Sequence, residues 1–386
     1  MRLLAAALAA VSAAPPAAPA RFDLWAFDRA RVLAAADRYL REEPRTITAS
    51  PSPRGAGGPH DFHSEADYWW PDPQNPGGPY VQRDGLTNPD NFVEHRRHLM
   101  RFSVQMPALT AAWRLTGQRR YAEHAARHLR AWFLDEATSM APHLRYAQSI
   151  QGRVTGRGIG IIDTIHLVEV ARAIEVLAPA AVLTRAEDGR VRRWFADYLV
   201  FLTTHPYGIA ERDTTNNHAT CWVMQVAAFA RLTADEEKLA FCRRRFKEVL
   251  VGRHMAPDGS FPREMQRTKP YGYALFNLEA LATAAQLLST PPEDLWRFET
   301  GDGRGLRRAV AFLFPYVRDK RAWPLPRDVM YHDEWPMRQA SLLFAGLALG
   351  QTEYVEQWKT LPADSTVEEV VRNFFVRQPV LWVLPP

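Results

Sequence analysis

The sequence predicts an all-α fold, an (α/α) toroid or incomplete barrel of antiparallel helix hairpins with long loops on one rim. Three observations carry that expectation. Apolar residues recur at helical spacing through about ten segments, with Gly, Pro and polar residues at their ends. Period-two alternation, the mark of a half-buried strand, is nearly absent. The long polar stretches fall between alternate helices, so short turns pair consecutive helices on one side and the long connections gather on the other. No strict repeat is visible, which favours a closed toroid over a regular solenoid.

In chain order, Arg2 precedes an apolar run from Leu3 to Ala14 and a Pro/Ala stretch in which Ala18 and Ala20 form an A-x-A pattern. This is the layout of a signal peptide over residues 1–20, too short to span a bilayer, and it implies a periplasmic or secreted protein. Residues 21–386 are expected to form one domain. Asp23 can cap a helix in which Leu24, Phe27, Val32, Leu33, Ala36 and Leu40 share a face. Residues 42–88 dissolve into Pro, Gly, Ser and Asp, a long loop that nonetheless carries Tyr68-Trp69-Trp70-Pro71 and Tyr80. Helices are predicted over 91–116, stopped by Gly117, and over 121–133. A polar loop over 135–160 precedes helices over 163–177 and 186–202. Thr214-Thr215-Asn216-Asn217-His218 then opens a helix running to Leu232, and another covers 235–251. A third loop, 254–272, leads to helices over 274–288, 306–316, 337–349 and 367–375.

Composition narrows the function classes. Hydrophobic content of 47% with 24% charged residues is that of a globular chain, and a net charge of +5 suits an acidic partner. The basic residues are mostly scattered arginines without a nucleic-acid motif, and no later segment is apolar enough for a membrane helix, so neither nucleic acid nor membrane is expected as partner. Cys221 and Cys242 sit in apolar helical contexts and read as free buried thiols in preference to a disulfide framework, although export would permit one bridge between them. His60, His63, Glu65 and Asp67 match no closed zinc spacing, so no metal and no cofactor are expected.

Two stretches carry chemistry. Asn216, Asn217 and His218 are polar residues at the start of a core-facing helix, where unpaired N–H groups can hold an anion; equally, Asn216 or Asn217 can be a plain N-cap. In the third loop Arg263, Glu264, Arg267 and Lys269 precede Tyr271 and Tyr273, with Pro270 and Gly272 read as preventing a continuous helix. A tyrosine serves as base and acid only if a cation such as Arg267 stabilises its phenolate; the alternative is an exposed basic loop beside a packed tyrosine. Together these groups suit β-elimination of a uronate. The proton to be lost lies beside a carboxylate and becomes acidic when the charge developing on that carboxylate is stabilised.

At these residues the chain resembles the alginate lyase family of α/α-toroid polysaccharide lyases. Four passages carry the resemblance: Ser64-Glu65-Ala66-Asp67-Tyr68-Trp69-Trp70-Pro71 with Arg83-Asp84-Gly85; His143-Leu144-Arg145-Tyr146-Ala147-Gln148 to Gly152 and on to Gly156-Arg157-Gly158; Asn216-Asn217-His218; and Asp258-Gly259-Ser260-Phe261-Pro262 with Arg267 and Tyr273. The resemblance implies that Asn217 and His218 contact the substrate carboxylate, that Tyr273 is base and acid, and that Arg267 assists. It further implies that Gln148 binds the sugar beside the scissile bond, and Arg145, Tyr146, Tyr68, Trp69, Trp70 and Tyr271 are candidate further substrate contacts. Ala219 stands where many relatives have Gly, and the choice of Tyr273 over Tyr271 rests on the resemblance. The aromatic run can stack on sugars or staple its loop.

The expected activity is cleavage of alginate, an acidic polysaccharide, by β-elimination. The alternatives are a lyase on another polyuronate such as glucuronan, an α/α-toroid glycoside hydrolase using Asp333 and Glu334 as its acid pair, and a non-catalytic carbohydrate-binding protein. His218 is a further candidate base for one C5 epimer.

Overall fold

The computed structural model describes residues 22–384, so the expected signal peptide lies outside the described residues. Helix α1 (Leu24–Tyr39) begins where the Asp23 carboxylate accepts from Ala26 N at 3.0 Å. It pairs with α2 (Glu94–Thr116), which ends at left-handed Gly117, and α3 (Arg119–Phe133) returns along α2. Next come α4 (Leu167–Leu177), α5 (Arg185–Thr204, opened by a Thr184/Glu187 capping box) and the short α6 (Pro206–Arg212). They are followed by α7 (Asn217–Thr233), α8 (Glu236–Arg245), the single turn α9 (Pro262–Met265), α10 (Pro270–Leu288) and α11 (Leu306–Arg318). The chain closes with α12 (Ala340–Leu349), α13 (Thr352–Thr360) and α14 (Glu368–Asn373).

Helices α2, α4, α7, α10 and α12 each pack on the next and form an inner layer, while α1, α3, α5, α8, α11 and α13 lie against them outside. Sequence decides the layer. Helices α7 and α10 are buried nearly all round, through Cys221, Trp222, Val226 and Phe229 in one and Leu278, Leu281, Ala282 and Ala285 in the other. The outer α3 buries one stripe only, including Tyr121, Ala125, Leu129 and Trp132. The C-terminal turn Pro379–Leu381 packs on α1, α2 and α4, and Trp382 meets Phe344 of α12 at 6.1 Å between ring centroids. This segment thus bridges the first and last inner helices. It is anchored by the buried Glu169 of α4, which accepts from Arg377 N (3.0 Å), Gln378 N (2.8 Å) and Trp382 Nε1 (3.3 Å).

The architecture is the expected one, with local differences. Two small sheets were not anticipated: β1 (His63–Glu65) runs parallel to β4 (Tyr146–Ser149), and β2 (Trp69–Trp70) antiparallel to β3 (Val81–Gln82). Strands of two to four residues are too short to show alternation. The predicted helix over 235–251 is α8 followed by a π-helical turn, and α13 falls where none was predicted. Most consequentially, α10 starts at Pro270, four residues earlier than expected. Proline is well suited to the first helical position, where no N–H is needed, so it opens this helix instead of preventing it. Cys221 and Cys242 are free and buried.

A buried carboxylate from a neighbour caps each of three inner helices. Glu264 caps α7, Asp328 caps α10 through Tyr271 N (2.9 Å) and Gly272 N (2.8 Å), and Glu279 caps α12 through Ala340 N (3.0 Å) and Ser341 N (2.8 Å). Burial pushes the Glu279 carboxyl up from 4.5 to about 7, against the pull of its Ser341 and Ala340 bonds. The folded state therefore holds a proton that the unfolded chain releases. The stability it contributes is complete below pH 4.5 and is lost as pH rises through about 7. Denaturant unfolding across that interval is expected to show the wild type losing up to about 3 kcal/mol relative to Glu279→Gln, which has no such proton to lose.

Candidate active site

The N-terminal ends of α7 and α10, the turn Gly158–Thr164 before α4, the loop over residues 42–88 and α14 meet around a cleft of about 430 Å³. Of the residues singled out in the sequence, Asn217, His218, Arg267, Tyr273, Gln148, Tyr68 and Trp69 line it together. They come from five places in the chain.

Asn216 is the N-cap of α7, its side chain accepting from His218 N at 3.4 Å. Asn217 is buried, and both its backbone N and its Nδ2 donate to the Glu264 carboxylate, at 2.5 and 2.6 Å. This corrects one expectation: the backbone end of α7 is occupied by Glu264, so an anion in the cleft meets the Asn217 and His218 side chains and not free helix N–H groups. His218 faces the cleft with its Nδ1 on Glu211 Oε1 at 2.7 Å.

The choice between the two tyrosines is geometric. Both lie on the first turn of α10, two residues and so about 200° apart, and they face opposite ways. Tyr271 is buried against Trp323, with its hydroxyl donating to Tyr316 O at 3.1 Å, and it does not line the cleft, contrary to its expected role as a substrate contact. Tyr273 Oη lies 2.7 Å from Tyr68 Oη and 3.3 Å from Arg267 Nη2, and the Arg267 guanidinium stands 4.3 Å from the Tyr273 ring centroid. Asp84 holds that guanidinium with both oxygens, at 2.8 and 3.3 Å. Burial and the neighbouring Tyr68 push the Tyr273 hydroxyl well above the usual phenol range, and Lys269 and Arg267 oppose them.

Gln148 adopts φ 50°, a left-handed backbone that is strained for any side chain but Gly. Its Oε1 accepts from Arg157 Nη2 at 3.0 Å and its Nε2 donates to Asp163 Oδ1 at 3.4 Å. The aromatic run divides its duties. Trp69 lines the cleft with the Arg153 and Arg157 guanidiniums 5.1 and 6.0 Å from its ring, whereas Trp70 lies outside, stapled by Nε1 to Leu86 O at 3.0 Å. Tyr146 and Arg145 are also outside the cleft: Tyr146 packs so closely on Gly57 that a Cβ there would come within 2.6 Å of its ring, and Arg145 is exposed. Asp333 and Glu334 are exposed and away from the cleft, with Asp333 paired to Arg327, so they do not form an acid pair across it. His63 sits between Ser52 and Ser149, His60 on Ser139 O, and Glu65 on Arg54.

Residues 46–323 match the family model described as alginate lyase. The chain belongs to the alginate lyase family. It is a polysaccharide lyase, and solved structures agree. An alginate lyase from Bacteroides ovatus is 28% identical over 93% of both chains, with a TM-score of 0.79. Alginate lyase A1-III shares the fold at 16% identity: a histidine-to-alanine variant in complex with a tetrasaccharide aligns over 93% of this chain and 94% of that one at TM-score 0.54, and its apo form over 92% and 94% at 0.55. No curated protein sequence matches the chain.

Beneath the cleft the lyase carries a buried charge network that the sequence did not reveal. Asp67 accepts from Arg96 at 2.5 Å and from Arg372 at 2.7 Å. Asp163 accepts from Ser64 Oγ at 2.5 Å and faces both arginines at 3.4 and 3.5 Å. Glu369 pairs with Lys269 at 2.8 Å. Arg372 and Glu369 belong to α14, beyond the stretch matched by the family model, yet both line the cleft. Their spacing of three reads in sequence as a solvated helical pair, and Glu211-Arg212-Asp213 reads as a surface turn. Asp67→Asn would leave Arg96 and Arg372 buried with one anion too few. It is expected to destabilise the fold by about 3–5 kcal/mol in denaturant unfolding at neutral pH.

Proposed function

We propose that the lyase cleaves alginate by β-elimination. Asn217 and His218 bind the carboxylate of the uronate that loses its C5 proton, Tyr273 removes that proton and returns one to O4, and Arg267 stabilises the Tyr273 phenolate. The observation that carries the reading is the convergence of an amide, an imidazole and a phenol under a guanidinium in one cleft. The C5–H bond breaks toward the Tyr273 oxygen, and its electrons enter the carboxylate as an enediolate. Their return forms the C4–C5 double bond and expels O4, which takes the proton from Tyr273. The polymer becomes two chains, one ending in an unsaturated uronate, and no water or cofactor is consumed.

The family and the names of its solved members favour alginate. Glucuronan is the second reading, because side chains that bind a carboxylate do not by themselves select the sugar epimer. The leader pattern of residues 1–20 supports a site of action in the periplasm or outside the cell.

Mixed with block-defined alginates and glucuronan, the lyase is expected to raise the ultraviolet absorbance of the conjugated product on alginate first. Tyr273→Phe is expected to lower kcat by about 10²–10⁴-fold, and His218→Ala to weaken both kcat and KM. Tyr271→Phe should keep its chemistry because its hydroxyl points into the core. A fully active Tyr273→Phe beside a dead Tyr271→Phe would falsify the base assignment. Because burial holds the Tyr273 proton on, kcat/KM should climb from neutral toward alkaline pH in the wild type, as the phenolate fraction grows.

A further inference from the structure

Glu211, at the end of α6, is a buried carboxylate with an unusual partner set. Its side chain is 0% exposed; Oε1 faces His218 Nδ1 at 2.7 Å, and Oε2 has no hydrogen-bond partner. Glu264, on the other side of the same helix start, has both oxygens filled by Asn217. A carboxylate buried with one oxygen idle is a standing cost, and a cap or a core contact does not need it. No cleft arginine bonds it: Arg267 is taken by Asp84 and Arg372 by Asp67, while Arg157 is directed to Gln148.

We propose that Glu211 is a positioning residue that locks His218 with Nε2 toward the cleft and keeps the ring doubly protonated, so that His218 acts as a charge-assisted donor to the substrate carboxylate and leaves proton abstraction to Tyr273. An ionised carboxylate only accepts, so Nδ1 must carry the proton of that bond and only Nε2 is left for the substrate. The ionisable groups around the Glu211–His218 pair are Glu264 from α9, Arg157 from the turn before α4, Tyr198 from α5, Arg267 and Tyr273 at the start of α10, and Cys221 on α7 itself. Glu211 backs the ring directly at Nδ1, and Arg267 and Arg157 have their own bonded partners in Asp84 and Gln148. A donor of this kind strengthens as charge accumulates in the enediolate, which is where catalysis requires it. This inference rests on the carboxylate-binding role proposed above for His218.

The test uses the full chain as wild type, Glu211→Gln and Glu211→Ala. Glu211→Gln keeps an acceptor for Nδ1–H and removes the charge. It is expected to lose about tenfold or more in kcat near pH 8 and to recover to within about threefold of wild type near pH 6, where solution protons are about a hundredfold more abundant. Glu211→Ala also loses the acceptor and should not recover. Equal losses at every pH in both variants would mean that Glu211 only packs, and would overturn the proposal. An activity-free readout runs beside it: nitrogen-15 NMR of the histidine rings near pH 7, with His218→Ala to assign the signal. Both ring nitrogens protonated in wild type and one in Glu211→Gln supports the proposal. An unprotonated Nε2 in wild type overturns it and makes the pair a base. If no polyuronate is cleaved, the β-elimination reading fails by itself, while the ring signals still decide the role of Glu211. Should Glu211→Ala not fold, Glu211→Gln decides alone.

Discussion

The rim of this lyase depends on the pairing of Asp67 with Arg96 and Arg372. Asp67 comes from the long loop, Arg96 from α2 and Arg372 from α14; Asp163 before α4, and Glu369 with Lys269 at the start of α10, complete a balanced set of three anions and three cations. Such charges are costly to bury and gain little over an apolar core, but each is intolerable without the others. Their value is therefore positional. Tyr68, next to Asp67, meets Tyr273, and Gln148 bonds Asp163, so the network fixes the floor from which the cleft side chains project.

A cleft for an acidic polymer that is backed by Glu211, Glu264, Asp84 and Glu369 is at first sight the wrong sign. Each acid, however, engages a donor that faces the cleft or sits beside it. Glu264 orients the Asn217 amide, Asp84 the Arg267 guanidinium, and Glu369 the Lys269 ammonium beneath both tyrosine rings. The acids act as an outer layer that aims the inner one, as carboxylates behind metal-ligating histidines do.

Much of this was legible in the sequence, for identifiable reasons. Helix α7 was readable because a polar pair at the head of an apolar helix is a costly choice for packing, and the inner layer because α7 and α10 are apolar nearly all round. The ambiguity between Tyr271 and Tyr273 came from one misjudged boundary: with Pro270 taken as a helix opener, the turn angle separates the two. The two-residue strands carry too little pattern to register. Glu211 and Arg372 were beyond reach for a different cause. Charge partners are chosen in space, and nothing in local spacing distinguishes a buried acid from a solvated one. Asp333 and Glu334 show the converse, an acid pair conspicuous in sequence that lies on the open surface.

Helix α14 lies far along the chain from its partners Asp67 and Asp163. Asp67, Arg96 and Asp163 sit on segments that precede it, and the hairpins from α1 to α10 pack through contacts of their own. Without α14 docked, those three charges are short of one cation, and the wall holding Glu369 does not exist. The rim is thus the part of the cleft that can come undone by itself: loosening α14 alone would open it while the helical hairpins stay packed.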